Sequence, residues 1–167
     1  MQNKQTRRIV IMALLIAVII LCSNVFSIES SVFKISFTYL PLALLGAFFS
    51  PLWAALGNTI ADTVGMWLLP KSSFFLGFTL NAALVGFIYS ICLHNKTKSW
   101  KNIIIASLLI NFGVNLVLTS TWLHMMYQTP LLALMATRFW MECINFIIQV
   151  ITLKLMFKYL PTNLFKL

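Results

Sequence analysis

Acidic side chains are almost missing from this chain: Asp and Glu together number three, against twelve Lys and Arg. Charged residues of either sign make up 9% of it, and hydrophobic residues 60%. A soluble domain of this size carries roughly 25% charge and cannot hide so much apolar surface from water, so a soluble globular fold is excluded. The three carboxylates, Glu29, Asp62 and Glu142, stand far apart, and neither His94 nor His124 lies in a His-Glu-x-x-His pattern. No nucleophile–base or metal constellation is therefore visible, and an intramembrane enzyme is a distant reading. Nor do the six glycines form a phosphate-cradling loop, so the chain cannot itself couple ATP hydrolysis to anything. Cys22, Cys92 and Cys143 fall inside apolar runs, without metal-ligand spacing or a disulfide framework, and are expected to be small core residues. No cofactor and no metal are expected.

The positive charge is informative by position. Nine of the twelve basic residues fall in three clusters: Lys4, Arg7 and Arg8; Lys96, Lys98 and Lys101; Lys154, Lys158 and Lys166. Apolar sequence sufficient for four membrane crossings separates the first two clusters, and sufficient for two separates the last two. Even numbers return the chain to one side, and cytoplasmic loops are the ones enriched in Lys and Arg. The pattern predicts an all-α membrane protein of six transmembrane helices, one integral-membrane domain over 1–167, with both termini cytoplasmic. The basic residues flank apolar runs instead of forming a polar stripe, so the partner they suit is the lipid bilayer and its anionic headgroups, and no nucleic acid is expected. The expected spans are about 8–26, 37–49, 51–69, 74–93, 102–123 and 131–159. Arg7 and Arg8 before an apolar run could open a signal peptide, but no small-x-small site follows cleanly, and the run is kept as the first helix. The second span is the shortest and reaches only about 20 Å into a roughly 30 Å hydrocarbon layer. Charge parity requires it.

Polar residues inside a bilayer need a partner, a cavity or a task. Asp62 and Asn81 each lie roughly 10 Å from the outer ends of spans 3 and 4, Asn115 a similar distance below Trp122, and Arg138 about 12 Å down span 6. Four helices thus place hydrophilic groups at one level of the outer half, as a pocket open to the exterior requires. Asn58 with Asp62, Asn111 with Asn115, and Arg138 with Glu142 are each four apart and share a helix face. The competing reading is that such groups only join helices: intramembrane amides often serve as interhelical hydrogen-bond partners, each worth about 1 kcal/mol or less. Asn111 and Asn145 suit that role best. Trp53, Trp67, Trp122 and Trp140 are candidate interface anchors, and Trp122, beside the polar layer, is also a candidate for stacking on a ligand.

Several segments resemble the substrate-binding S components of energy-coupling-factor (ECF) transporters. Gly46-Ala47-Phe48-Phe49-Ser50-Pro51-Leu52-Trp53, leading to Ala61-Asp62, is similar to that family's junction of helices 2 and 3. Phe75-Leu76-Gly77-Phe78-Thr79-Leu80-Asn81-Ala82-Ala83-Leu84 resembles the start of helix 4 in its folate-specific members. Asn111 to Trp122, Tyr127, and Ala136-Thr137-Arg138 through Gln149 match helices 5 and 6. The resemblance implies a vitamin pocket near the outer surface, gated by the loops after helices 1 and 3, which here carry Lys34 and Lys71. It also implies partners: a transmembrane coupling subunit and two ATPase subunits, with the whole S component rotating in the membrane during delivery. The family's Ala-x-x-x-Ala of helix 1, which packs on the coupling subunit, is matched by Ala13 and Ala17. One departure stands out: folate members carry an Arg near the outer end of helix 1, and Asn24 occupies the aligned position. The anionic tail of folate then needs another cation, Arg138 first, then Lys71 or Lys34.

The resemblance thus implies a substrate-specificity subunit of an ATP-driven vitamin importer, capturing folate. Expected substrate-binding residues are Asp62, Phe78, Thr79, Asn81, Asn115, Trp122 and Arg138. Asp62 would accept adjacent pterin N–H groups with Asn81 beside it, Phe78 or Trp122 would sandwich the rings, and the planar fork of Arg138 suits a carboxylate. Two alternatives stay open: an S component for another vitamin such as thiamin, and a structural or assembly protein that takes no ligand.

Overall fold

The computed structural model describes residues 2–24, 27–29, 34–68, 75–96 and 98–160. Its helices are α1 (Gln2–Asn24), α2 (Tyr39–Phe48), α3 (Pro51–Leu68), α4 (Leu76–Leu93), α5 (Trp100–Tyr127) and α6 (Leu131–Tyr159). In the connection from α1 to α2, β1 (Ser27–Glu29) pairs antiparallel with β2 (Lys34–Ser36), Ser27 opposite Ser36 and Glu29 opposite Lys34. The helical bundle agrees with the sequence reading, and this hairpin is an addition to it. Strands of three residues are too short for a period-two pattern to be read.

Helices α1, α4, α5 and α6 are long and apolar enough to cross a bilayer. The other two fall short for different reasons. In α3, 18 residues long, Asn58, Thr59, Asp62 and Thr63 dilute the hydropathy. With 10 residues, α2 spans about 15 Å of a roughly 30 Å layer. Its surroundings resolve the shortfall: Leu42, Ala43, Leu45 and Ala47 are buried in the core with Ala54, Tyr89, Leu93, Ile103 and Leu153. A helix enclosed by its neighbours need not match the lipid thickness. Large apolar side chains point outward instead, including Trp67, Leu132, Trp140 and Ile147. Lipid, not water, is the solvent such a surface suits.

Small residues let the inner helices meet. A Cβ on Gly86 would lie 2.5 Å from the Ala54 carbonyl oxygen, and one on Gly46 2.6 Å from Tyr89 Cβ, so α4 approaches α3 and α2 at backbone distance. Without a hydrophobic drive between helices in lipid, such close packing and interhelical hydrogen bonds must hold the bundle. Asn58 Nδ2 donates to the Ala82 carbonyl at 2.6 Å, fixing the same α3–α4 register one turn from Gly86.

One end of the bundle is basic. Lys154 Nζ donates to the Lys98 carbonyl at 3.2 Å and lies 5.5 Å from the centre of the Trp100 ring. Ser90 Oγ donates to the Phe49 carbonyl at 2.6 Å, bringing the α2–α3 turn to this end as well. The second and third basic clusters therefore meet in space. The opposite, distal end carries the polar groups of the candidate site.

Within α5, residues Leu109–Leu118 are π-helical. The Thr119 N–H and its hydroxyl both reach the Val114 carbonyl, five residues back. A π stretch rotates side chains relative to an α-helix and is common at functional sites.

Candidate functional site

Three polar nodes run along the bundle between α4, α5 and α6. The distal node centres on Asn81 of α4. Trp122 Nε1 donates to Asn81 Oδ1 at 3.1 Å, Asn81 Nδ2 donates to Thr119 Oγ1 at 3.0 Å, and Thr119 Oγ1 donates on to the Val114 carbonyl at 3.3 Å. This relay fixes which way the buried amide points. Around it stand aromatic rings: Phe75 lies 5.8 Å from both Phe78 and Trp122, centre to centre. Gly77 makes that arrangement possible, since a Cβ there would sit 2.5 Å from the Phe75 ring and 2.7 Å from the Trp122 indole. Thr79 Oγ1, on the next residue but one, is buried and makes no hydrogen bond among the described residues.

The middle node gathers charge. Arg138 and Glu142 lie four apart on α6, with Arg138 half-buried and Glu142 only 5% exposed. The two side chains share one helix face, and Asn115 of α5 and Asn145 of α6 bring amides close to the Glu142 carboxylate. Arg138 Nε and Glu142 Oε2 remain buried without a hydrogen bond among the described residues.

The third node is structural. Asn111 Nδ2 donates to Gln149 Oε1 at 2.6 Å and to the Ser107 carbonyl at 2.7 Å, and Gln149 Nε2 donates to the Tyr89 hydroxyl. All three side chains are buried. Asn111, Asn115 and Thr119 thus serve three different partners, although α-helical spacing would have put them on one stripe.

Asp62 is reached through register. Gly86 against Ala54 and Ala82 against Asn58 set an antiparallel α3–α4 pairing, which one further turn brings Asp62 level with Phe78. Asp62 is half-buried there, beside the distal node. The structure therefore brings Phe78, Thr79, Asn81 and Trp122 together with Asp62 level beside them, and sets Asn115 and Glu142 one node deeper, with Arg138 a turn nearer the distal end than Glu142. Sequence reasoning passed over Phe75 and Gly77, which shape the aromatic wall, and the Gln149–Tyr89 pair.

Comparison with known proteins identifies the scaffold. The family model described as "ECF transporter, substrate-specific component" matches residues 7–167. The chain belongs to that family. The Folate transporter FolT of Clostridium novyi (strain NT) is 32% identical over 150 residues, covering 90% of this chain and 87% of the relative. The Folate transporter FolT of Leuconostoc mesenteroides subsp. mesenteroides is 34% identical over 126 residues, covering 74% of this chain and 67% of the relative. Among solved structures, the crystal structure of FolT bound with folic acid superposes with a TM-score of 0.88 at 40% identity, covering 93% of this chain and 95% of that one. This S component is accordingly a membrane protein.

The remaining candidate residues of the S component lie elsewhere. Ala13 and Ala17 are exposed on α1, on a face shared with Val10, Leu14 and Leu21. Lys34 opens β2 in the connection after α1. Lys71 lies outside the described residues. Asn24 closes α1 as its last residue.

Proposed function

We propose that this S component captures folate at the distal end of its bundle and passes it to a transmembrane coupling subunit powered by two ATPase subunits. The observation that carries the reading is the likeness to FolT bound with folic acid over nearly the whole length of both chains. Membership of the ECF family supports the shared partners. The exposed Ala13–Ala17 face of α1 gives the coupling subunit a close-approach surface. The basic end is the cytoplasmic one, by the enrichment of Lys and Arg there. The distal end then faces outward, and by family analogy the connections that carry Lys34 and Lys71 gate it.

Each side chain at the distal node has a role suited to its chemistry. The Asp62 carboxylate accepts two adjacent pterin N–H groups, a charge-assisted pair. Asn81, held in one orientation by Trp122 and Thr119, keeps one amide proton for the ring. Phe78 and Trp122 stack on the pterin faces, each good aromatic pair adding about 0.5–1.5 kcal/mol beyond area burial. Thr79 brings a buried hydroxyl that makes no hydrogen bond among the described residues. Arg138, on α6, takes a carboxylate of the glutamate tail, assisted by Asn115, in place of the Arg that Asn24 replaces. Calorimetry of the purified chain with folate and with thiamin tests the reading. Saturable folate binding without thiamin binding is expected. Thiamin binding alone would assign another vitamin, and no saturable ligand would leave a structural or assembly role.

A further inference from the structure

Resting on the folate reading, the geometry points to Glu142 as the internal counter-ion of Arg138, displaced by the ligand's carboxylate, and hence as a determinant of selection for anionic-tailed ligands. Nothing in the roles assigned above uses Glu142, although it is one of three acids in the chain and is only 5% exposed. A guanidinium within a bilayer-embedded bundle is costly on its own, and a carboxylate one helical turn away offsets that cost.

The pair is built unequally. Asn115 and Asn145, from two helices, bring amide donors close to Glu142 independently of Arg138. Glu142 therefore keeps donors if its cation turns away, and stays in place. Arg138 is the more exposed of the two, its stem is long, and its Nε has no hydrogen bond among the described residues. It is the partner free to exchange one carboxylate for another. Glu142 Oε2, equally without a hydrogen bond, would then face an incoming anion and compete with it for a single guanidinium. A ligand lacking a negative tail never enters that contest, so Glu142 acts on the preference between ligands and not on ring binding.

The test measures affinities of folate and of pterin, which has no tail, by calorimetry for the wild-type chain, Glu142→Gln, Arg138→Gln and the double variant. Glu142→Gln is expected to raise the ratio of folate to pterin affinity about tenfold, with pterin binding unchanged. Arg138→Gln is expected to lower the ratio, and adding Glu142→Gln to it to change nothing further. The double variant carries neither charge, so it provides the test even if the single Glu142 variant folds poorly. A ratio that stays level or falls in Glu142→Gln overturns the inference, and so does an equal rise in the Arg138→Gln background. Folate failing to bind the wild-type chain overturns the folate reading itself, a separate outcome.

Discussion

At the scale of single residues, the site depends on where an atom is missing as much as on where one is present. Gly77 leaves the space that Phe75 and Trp122 fill, and the Trp122 indole is then close enough to bond Asn81. Gly77→Ala is expected to push the indole off Asn81 and to weaken folate binding by about tenfold or more, measured by calorimetry, with a change in tryptophan fluorescence reporting the displacement. Asp62→Asn keeps the shape but removes one acceptor and the charge. A hydrogen bond to a charged group contributes about 1.5–3 kcal/mol, so a loss of at least tenfold in affinity is expected for pterin and folate alike. Unchanged binding would place Asp62 outside the ring site and favour a role confined to helix joining.

At the scale of elements, two glycines on neighbouring helices predict opposite outcomes. Gly86 faces the Ala54 carbonyl at backbone distance, so a methyl group there forces α3 and α4 apart. Overpacking of this kind costs about 1–3 kcal/mol, and Gly86→Ala should lower the thermal midpoint in detergent. Gly113, in the π stretch of α5, has nothing within 4 Å of an added Cβ. Gly113→Ala should be neutral or stabilising by up to about 1 kcal/mol, from helix propensity alone. If both variants melt alike, the α3–α4 contact is looser than its geometry indicates. The π stretch is also where reading from sequence met its limit. Asn111, Asn115 and Thr119 were legible as polar residues on one helix, but their division among Gln149, Glu142 and Asn81 depends on which residues of α4 and α6 lie opposite, which no local pattern announces.

At the scale of the whole molecule, orientation is the testable quantity. Lys154 meeting the Lys98 carbonyl places two basic clusters at one end, and helix alternation carries Arg7 and Arg8 there too. In a background with Cys22, Cys92 and Cys143 replaced, single cysteines at Lys96 and at Met125, both exposed, are expected to label from opposite sides of sealed vesicles. An impermeant thiol reagent outside intact cells should reach Met125→Cys alone. Labelling of both from one side would remove the six-crossing topology.

Hydropathy and charge position determined that this chain lives in a bilayer as a bundle of helices, because the cost of exposing apolar groups or burying charge depends on residue type and spacing alone. The short apolar run of α2 was legible as a helix for the same reason. Only the tertiary structure decided that α2 is enclosed by its neighbours, that Asn111 joins helices while Asn81 faces the aromatic wall, and that Glu142 is shared between amides and Arg138. Those outcomes turn on distances between helices remote in sequence, set in part by where glycine admits a neighbouring backbone.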